Sequence, residues 1–299
     1  MKNEKITIAQ TANKKSSGMC YAIHLSDGSF IIIDSGEADS DGDGIYDYNS
    51  TALLEHIRAV STDEKPVISA WFITHFHYDH VDMASRLIKE QKDNFEIKMF
   101  AYNSYRGYEE IDPGSRDGSE WEEAMDCYPD AERHILKSGE VLNFSGVKVD
   151  VLMAEDFGYY ADPPSQNHIS AALMITFDNG RKFAVLGDCD TERLHHLTVE
   201  GSSVYRTAKE LKCDVLQVPH HGLPLGTKEF IDKNMELYKI MDPEICFFPV
   251  DEVRFASDKK FFDNPFYSDN YYLLTTRRDK CFHNSKTTVV DVSDLSIVK

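Results

Sequence analysis

Positive charge is scarce in this sequence. Its 32 lysines and arginines face 51 aspartates and glutamates, a formal net charge of −19 over 299 residues. A chain this acidic repels polyanions on average, which argues against binding along nucleic acid. That does not exclude a phosphate ester held on metal cations. Long apolar runs are also missing. No stretch of about 18 apolar residues occurs, and the lysines near the N-terminus have no apolar run behind them. Neither a membrane span nor a signal peptide is therefore expected, and the protein is expected in the cytoplasm. The six cysteines (Cys20, Cys127, Cys189, Cys213, Cys246, Cys281) form no C-x-x-C pair and lie far apart. They read as free thiols of a reducing compartment. Repeats, low-complexity tracts and linkers are absent, so one domain over 1–299 is the simplest organisation.

What remains is ordinary soluble composition, 41% hydrophobic and 28% charged, enough for a sizeable core. Strand-like segments fall at 5–10, 19–25 and 30–34, the last two joined by Asp27-Gly28, a hairpin signal. Residues 49–61 place Leu53, Leu54, Ile57 and Val60 on one helical face. Residues 67–74 are continuously apolar, as in a strand buried on both faces, and a helix is expected over 81–92. After a strand at 95–102 the pattern fails, and about 103–135 reads as an acidic, aromatic insertion. Hairpins follow at 141–153 and at 171–186, the second across Asn179-Gly180. A strand at 214–218 runs into Pro219-His220-His221-Gly222, then a helix over 228–241 and a strand at 245–250. Apolar segments at 271–276 and 287–292 close the chain. Strands followed by helices, twice over, predict two sheets packed face to face with helices outside.

The end of the buried strand at 67–74 carries Thr74-His75-Phe76-His77-Tyr78-Asp79-His80. His75 and His77, two apart on a strand end, point the same way and can share a cation. The turn after them presents Asp79 and His80 to a neighbouring position. Imidazole nitrogen and carboxylate oxygen are zinc ligands, and a catalytic site leaves one position open. A histidine-rich surface loop is the bland alternative, but clustering at a buried strand's end argues against it.

This run resembles the H-x-H-x-D-H signature of the metallo-β-lactamase superfamily. Further segments match in order and spacing: Ile31-Ile32-Ile33-Asp34-Ser35-Gly36, Asn167-His168-Ile169-Ser170, Val185-Leu186-Gly187-Asp188 and Pro219-His220-His221-Gly222. The Gly187-Asp188 and Val218–Gly222 segments are most similar to the branch holding the hydrolase domain of DNA-uptake competence proteins and bacterial phosphorylcholine esterases. Many competence-type sequences lack a histidine at the position of His168, which this chain has. The resemblance implies an αββα sandwich, four layers with two packed mixed sheets inside. It implies a hydrolase using hydroxide on a dinuclear zinc site, with manganese or iron as alternative metals. His75, His77 and His168 would hold the first metal. Asp79, His80 and one of His220 or His221 would hold the second, and Asp188 would bridge both. Asp79 would orient the nucleophile, and Asp34 would orient a ligand from behind. A small phosphoester is the expected substrate. A carboxyl substrate (lactone, thioester or β-lactam) is the alternative, and a catalytically silent metal-binding regulator a third reading.

Weaker signals remain. Acidic residues from Asp39 to Asp47 resemble the start of a calcium loop, but position twelve is Ser50 instead of glutamate, which favours an acidic turn. Tyr160 and His283 are weak candidates for substrate contact. Oligomeric state is not encoded in any pattern found.

Overall fold

Phe30 and Ile32 face one side of a strand and Ile31 and Ile33 the other, and all four are fully buried. A strand apolar on both faces needs a layer on each side. The computed structural model describes residues 5–13, 18–37, 49–104, 112, 114–155, 165–223, 228–257 and 268–298. The possible calcium loop at 39–47 and Tyr160 lie outside the described residues.

The first half holds β1 (Thr7–Gln10), β2 (Cys20–His24), β3 (Phe30–Asp34), α1 (Asn49–Val60), β4 (Val67–Ile73) and α2 (Tyr78–Glu90). It continues through β5 (Glu96–Ile97), β6 (Met99–Tyr102), α3 (Ser119–Asp126) and β7 (Glu132–Ile135). The second half holds β8 (Val141–Phe144), β9 (Val147–Met153), β10 (Ala172–Phe177), β11 (Lys182–Val185), α4 (Thr191–His195), α5 (Ala208–Leu211) and β12 (Val215–Gln217). Then come α6 (Lys228–Met241), β13 (Ile245–Phe248), α7 (Glu252–Ser257), α8 (Ser268–Arg277), β14 (Cys281–His283), β15 (Thr288–Asp291) and β16 (Ile297–Val298).

One sheet runs β16-β15-β1-β2-β3-β4-β6-β7 with β5 beside β4, and the other β14-β13-β12-β11-β10-β9-β8. Both are mixed: β2–β3 is antiparallel and β3–β4 parallel, β10–β11 antiparallel and β11–β12 parallel. Ile31, Ile33 and Phe72 of the first sheet meet Val149, Leu173, Phe183 and Phe247 of the second in the central core. Phe30, Ile32 and Trp71 pack outward on Leu53, Ile57, Leu87 and Trp121 of α1 to α3. Leu216, Cys246 and Phe248 pack outward on Leu194, Leu237 and Leu273. The result is the expected αββα order of layers. A register shift between β3 and β4 pairs Phe30 with Ile68 but Ile31 with Ala70. Ile68 therefore faces the outer helices, and Ala70 the central core.

One segment differs from the sequence reading, and another takes a form it left open. Residues 132–135, at the end of the expected insertion, form β7 alongside β6 in the sheet, so 103–135 includes a β–α–β crossover through α3. Residues 271–276 lie within α8. All six cysteines are free. No helix among the described residues is long and apolar enough to cross a membrane.

Candidate metal centre

The carboxyl ends of β3, β4, β11 and β12 converge on one rim of the sandwich, the place where open α/β sheets bind ligands. β3 delivers Asp34, β4 the histidine run, β11 Asp188 and β12 the histidine pair. Two groups of donor atoms form there: His75, His77 and Asp188, and Asp79, His80 and His221, the atoms of each group lying within 4.8 Å of one another. Asp188 joins them. Its Oδ2 is 3.9 Å from His75 Nε2, 3.2 Å from His80 Nε2 and 3.2 Å from His221 Nε2. Asp79 approaches His221 Nε2 at 3.2 Å and His80 Nε2 at 3.9 Å.

The outward nitrogens of these imidazoles are tied down. His80 Nδ1 bonds Asp34 Oδ2 at 2.8 Å, and His221 Nδ1 donates to the Pro249 carbonyl at 2.7 Å. The Thr74 hydroxyl gives its proton to Asp34 Oδ2 at 2.8 Å, so its oxygen accepts from His75 Nδ1 at 3.2 Å. Asp34, with φ 52°, also takes the Thr74 amide at 2.8 Å. It thus orients His80 directly and His75 through Thr74. Ser170 Oγ accepts the Asp188 amide at 3.0 Å and lies 3.3 Å from His75 Nδ1.

The inner atoms are left over. His75 Nε2, His80 Nε2, His221 Nε2 and Asp188 Oδ1 are buried without a hydrogen bond of ordinary geometry. Each such atom costs about 1–3 kcal/mol unless something satisfies it. Three lone-pair nitrogens and shared carboxylates facing one another fit divalent cations of the zinc, iron or manganese type. Protons partly substitute for cations. Burial opposes charging His221, yet Asp188 and Asp79 raise it to about 9. His80 is likewise raised well above the ordinary imidazole value, against burial, by Asp188 and Asp34. Burial and the neighbouring His80 and His77 hold His75 well below it. Burial would raise Asp188 and Asp79, but the adjacent imidazoles outweigh it and hold both carboxyls below their ordinary range.

The histidine pair holds a surprise of geometry. Adjacent residues on a strand point in different directions, which implied that only one of His220 and His221 binds the second metal, the other meeting substrate or leaving group. Both are left-handed, φ 47° and 56°, and their rings lie 5.9 Å apart. His221 belongs to the second donor group. His220 Nε2 stands 4.0 Å from Asp188 Oδ2 and 3.3 Å from Asn167 Nδ2, with Nδ1 on the Leu223 carbonyl at 2.6 Å. His168 is in neither group. It sits in the short 3-10 turn Gln166–Ile169, its Nε2 3.8 Å from Asp190 Oδ2. His283, on β14, stacks against Phe255 and Phe248 at 4.5 and 5.4 Å. Cys189 is buried, with its thiol donating to the Ser170 carbonyl at 3.1 Å and pushed by burial to about 12, an inert group.

Sequence reasoning missed Asp112. Its Oδ2 is 2.8 Å from His77 Nε2, across 35 residues of chain. Asp112-Pro113-Gly114 carries only a turn signature, and no spacing rule links it to the histidine run. Burial would raise its carboxyl, but bonds from His77, Gln166 and Ser165 outweigh that and hold it low.

No protein-family profile and no curated protein sequence matches the chain. Solved structures do. CmlA, a diiron β-hydroxylase from Streptomyces venezuelae, superposes with a TM-score of 0.53 at 12% identity over 96% of this chain, which spans 54% of CmlA. A metal-dependent hydrolase of the β-lactamase superfamily gives 0.51 at 11% identity, over 97% of this chain and all of the other. A possible metal-dependent hydrolase from Veillonella parvula gives 0.50 at 9% identity, over 96% of this chain and all of that one. The likeness is one of fold: this chain has the metallo-β-lactamase architecture.

Proposed function

We propose that this chain is a metal-dependent hydrolase of the metallo-β-lactamase superfamily, holding two zinc ions and cleaving a phosphoester, of phosphodiester type, in a small molecule. The observation that carries the reading is Asp188, one buried carboxylate facing both donor groups. His75, His77 and Asp188 would hold one ion, with His168 proposed to join them. Asp79, His80 and His221 would hold the other. Two such cations would supply a nucleophile from water at neutral pH and would withdraw charge from the phosphoryl oxygen under attack.

The chain's residues do the positioning. Asp34 and Thr74 fix the tautomers of His80 and His75. Asp79 accepts a hydrogen bond from the attacking water and orients it. His220, beside Asp188 and fixed by Leu223, faces the substrate's leaving group with Asn167 next to it. No serine or cysteine nucleophile is required. The phosphoester assignment rests on the Gly187-Asp188 and Pro219–Gly222 segments, which resemble the phosphorylcholine esterase and competence-protein branch. The overall charge of −19 favours a small substrate over a long polyanion.

The test combines metal analysis, iron and manganese included, with turnover on nitrophenyl phosphodiesters, phosphomonoesters, thioesters and a chromogenic β-lactam. Two equivalents of metal, and phosphodiester cleavage lost in His77→Ala/Asp188→Ala, are expected. Cleavage of acyl substrates alone would replace the phosphoester reading with carboxyl chemistry. Full metal without turnover on any substrate would leave a metal-binding regulator.

A further inference from the structure

His77 differs from the other ligand imidazoles in how it is held. His75 is oriented from within its own strand end, His80 from β3 and His221 from the end of β13. His77 is held from the stretch between β6 and α3. Backbone of residues 114–116 runs antiparallel along the histidine run: Tyr78 donates to the Gly114 carbonyl at 3.1 Å, Arg116 donates to the Phe76 carbonyl at 2.8 Å, and His77 bridges Ser115. Gly114 lies against the ring, and a Cβ there would stand 3.3 Å from His77 Cδ2. The added strip therefore fits flush against the imidazole.

Asp112 opens that strip. Oδ2 takes His77 Nε2 at 2.8 Å, the Ser165 hydroxyl at 2.8 Å and the Gln166 amide at 2.9 Å, and Oδ1 takes the Gly114 amide at 3.2 Å. Gln166, fully buried, reaches back to accept from the Phe76 amide at 3.3 Å. One carboxylate thus joins the histidine run, the added strip and the turn that carries His168. A carboxylate ionised at neutral pH can only accept, so the Nε2 of His77 must carry the proton of this bond. The lone pair of a neutral His77 is then confined to Nδ1.

We propose that Asp112 is a positioning residue for the first metal: by accepting the Nε2 proton of His77, it commits that imidazole to ligating through Nδ1. The proposal rests on the metal site assigned under the proposed function. A carboxylate behind a ligating histidine fixes its tautomer and strengthens its donor nitrogen. Here the carboxylate comes from a segment outside the histidine motif, and it links the first metal position to the Ser165–His168 turn.

The experiment reads tautomers and affinities directly. Long-range imidazole nitrogen–proton spectra are recorded on wild type, Asp112→Ala and Asp112→Asn, before and during zinc titration, with chelator competition giving both stepwise affinities. Wild-type His77 is expected as the Nε2–H form throughout. In Asp112→Ala, His77 is expected to become a mixture of tautomers, and one zinc equivalent to weaken about 10- to 100-fold while the other holds. Asp112→Asn, which keeps an acceptor oxygen, is expected to retain the tautomer and fall between. An unchanged His77 tautomer and unchanged affinities in Asp112→Ala would overturn the proposal. Equal weakening of both zincs with a broadened unfolding transition would also overturn it, since that is loss of structure alone. None of these readouts uses turnover, so an inert wild type that binds two zincs would sink the hydrolase reading and leave Asp112 in place.

Discussion

Asp34 accepts three hydrogen bonds, from the Thr74 amide and hydroxyl and from His80 Nδ1, and is fully buried. Asp34→Ala is expected to weaken metal binding about 10- to 100-fold by chelator competition, through ligands it never touches the metal to help. His221 is raised to about 9, above its ordinary 6.5. In the metal-free protein its ion pairs add stability that is full below 6.5 and lost as pH rises through about 9. A metal must displace that proton, so zinc affinity is expected to rise with pH up to about 9, with proton release measurable in weakly buffered solution. The left-handed backbone of His220 gives a third outcome. His220→Gly is expected to unfold at a higher temperature than His220→Ala, by roughly 1 kcal/mol of relieved backbone strain, while both lose activity. The candidate donor types were legible because they cluster at the end of an apolar strand. The shared direction of His220 and His221 was not, since no alternation rule anticipates two consecutive positive φ angles.

Helix α4 is only five residues long, yet it places Arg193 in the interior. The guanidinium donates to the Ser170 carbonyl at 2.6 Å and the Ala154 carbonyl at 2.8 Å. Ser170 is the residue that supports the Asp188 amide and His75. Removing both charge-assisted bonds in Arg193→Ala is expected to cost on the order of 3 kcal/mol in urea unfolding. The turn after β11 is equally constrained. Gly187 has φ 55°, and a Cβ there would overlap Ser170 Oγ. Gly187→Ala is expected to cost about 1–2 kcal/mol from backbone strain alone, and to shift Asp188, so metal stoichiometry should fall with it. At this scale β3 and β4 were legible as short apolar runs and α1 from its helical spacing, and α6 was expected at its observed bounds. Helix α8 was not: Tyr-Tyr-Leu-Leu reads as readily as a strand, and its helical state is settled by Leu273 packing under Phe248 and by Asn270 bonding the Gly222 carbonyl. β7 was hidden because its side chains are mostly exposed and carry no apolar alternation.

The net charge of −19 sets the behaviour of the whole molecule. Two divalent cations at the proposed site would offset part of it at the rim, and no shift of duplex DNA is expected in a gel even at low salt, where any electrostatic binding is strongest. The order of the layers followed from strands followed by helices, twice over, in the sequence, but the pairing of the first strand did not. β1 lies between β2 and β15, with Thr7 opposite Asp291. The donor atoms are similarly spread, from Asp34 and the histidine run to Asp188, His221 and the Pro249 carbonyl behind it. During synthesis, the stretch from Asp34 through Pro249 must therefore be complete before both proposed ion positions can form, and that through Asp291 before β1 finds its second neighbour. Metal acquisition at the proposed site would be a late event in the life of the nascent chain: the first histidines emerge early, but they wait for partners that have not yet been translated.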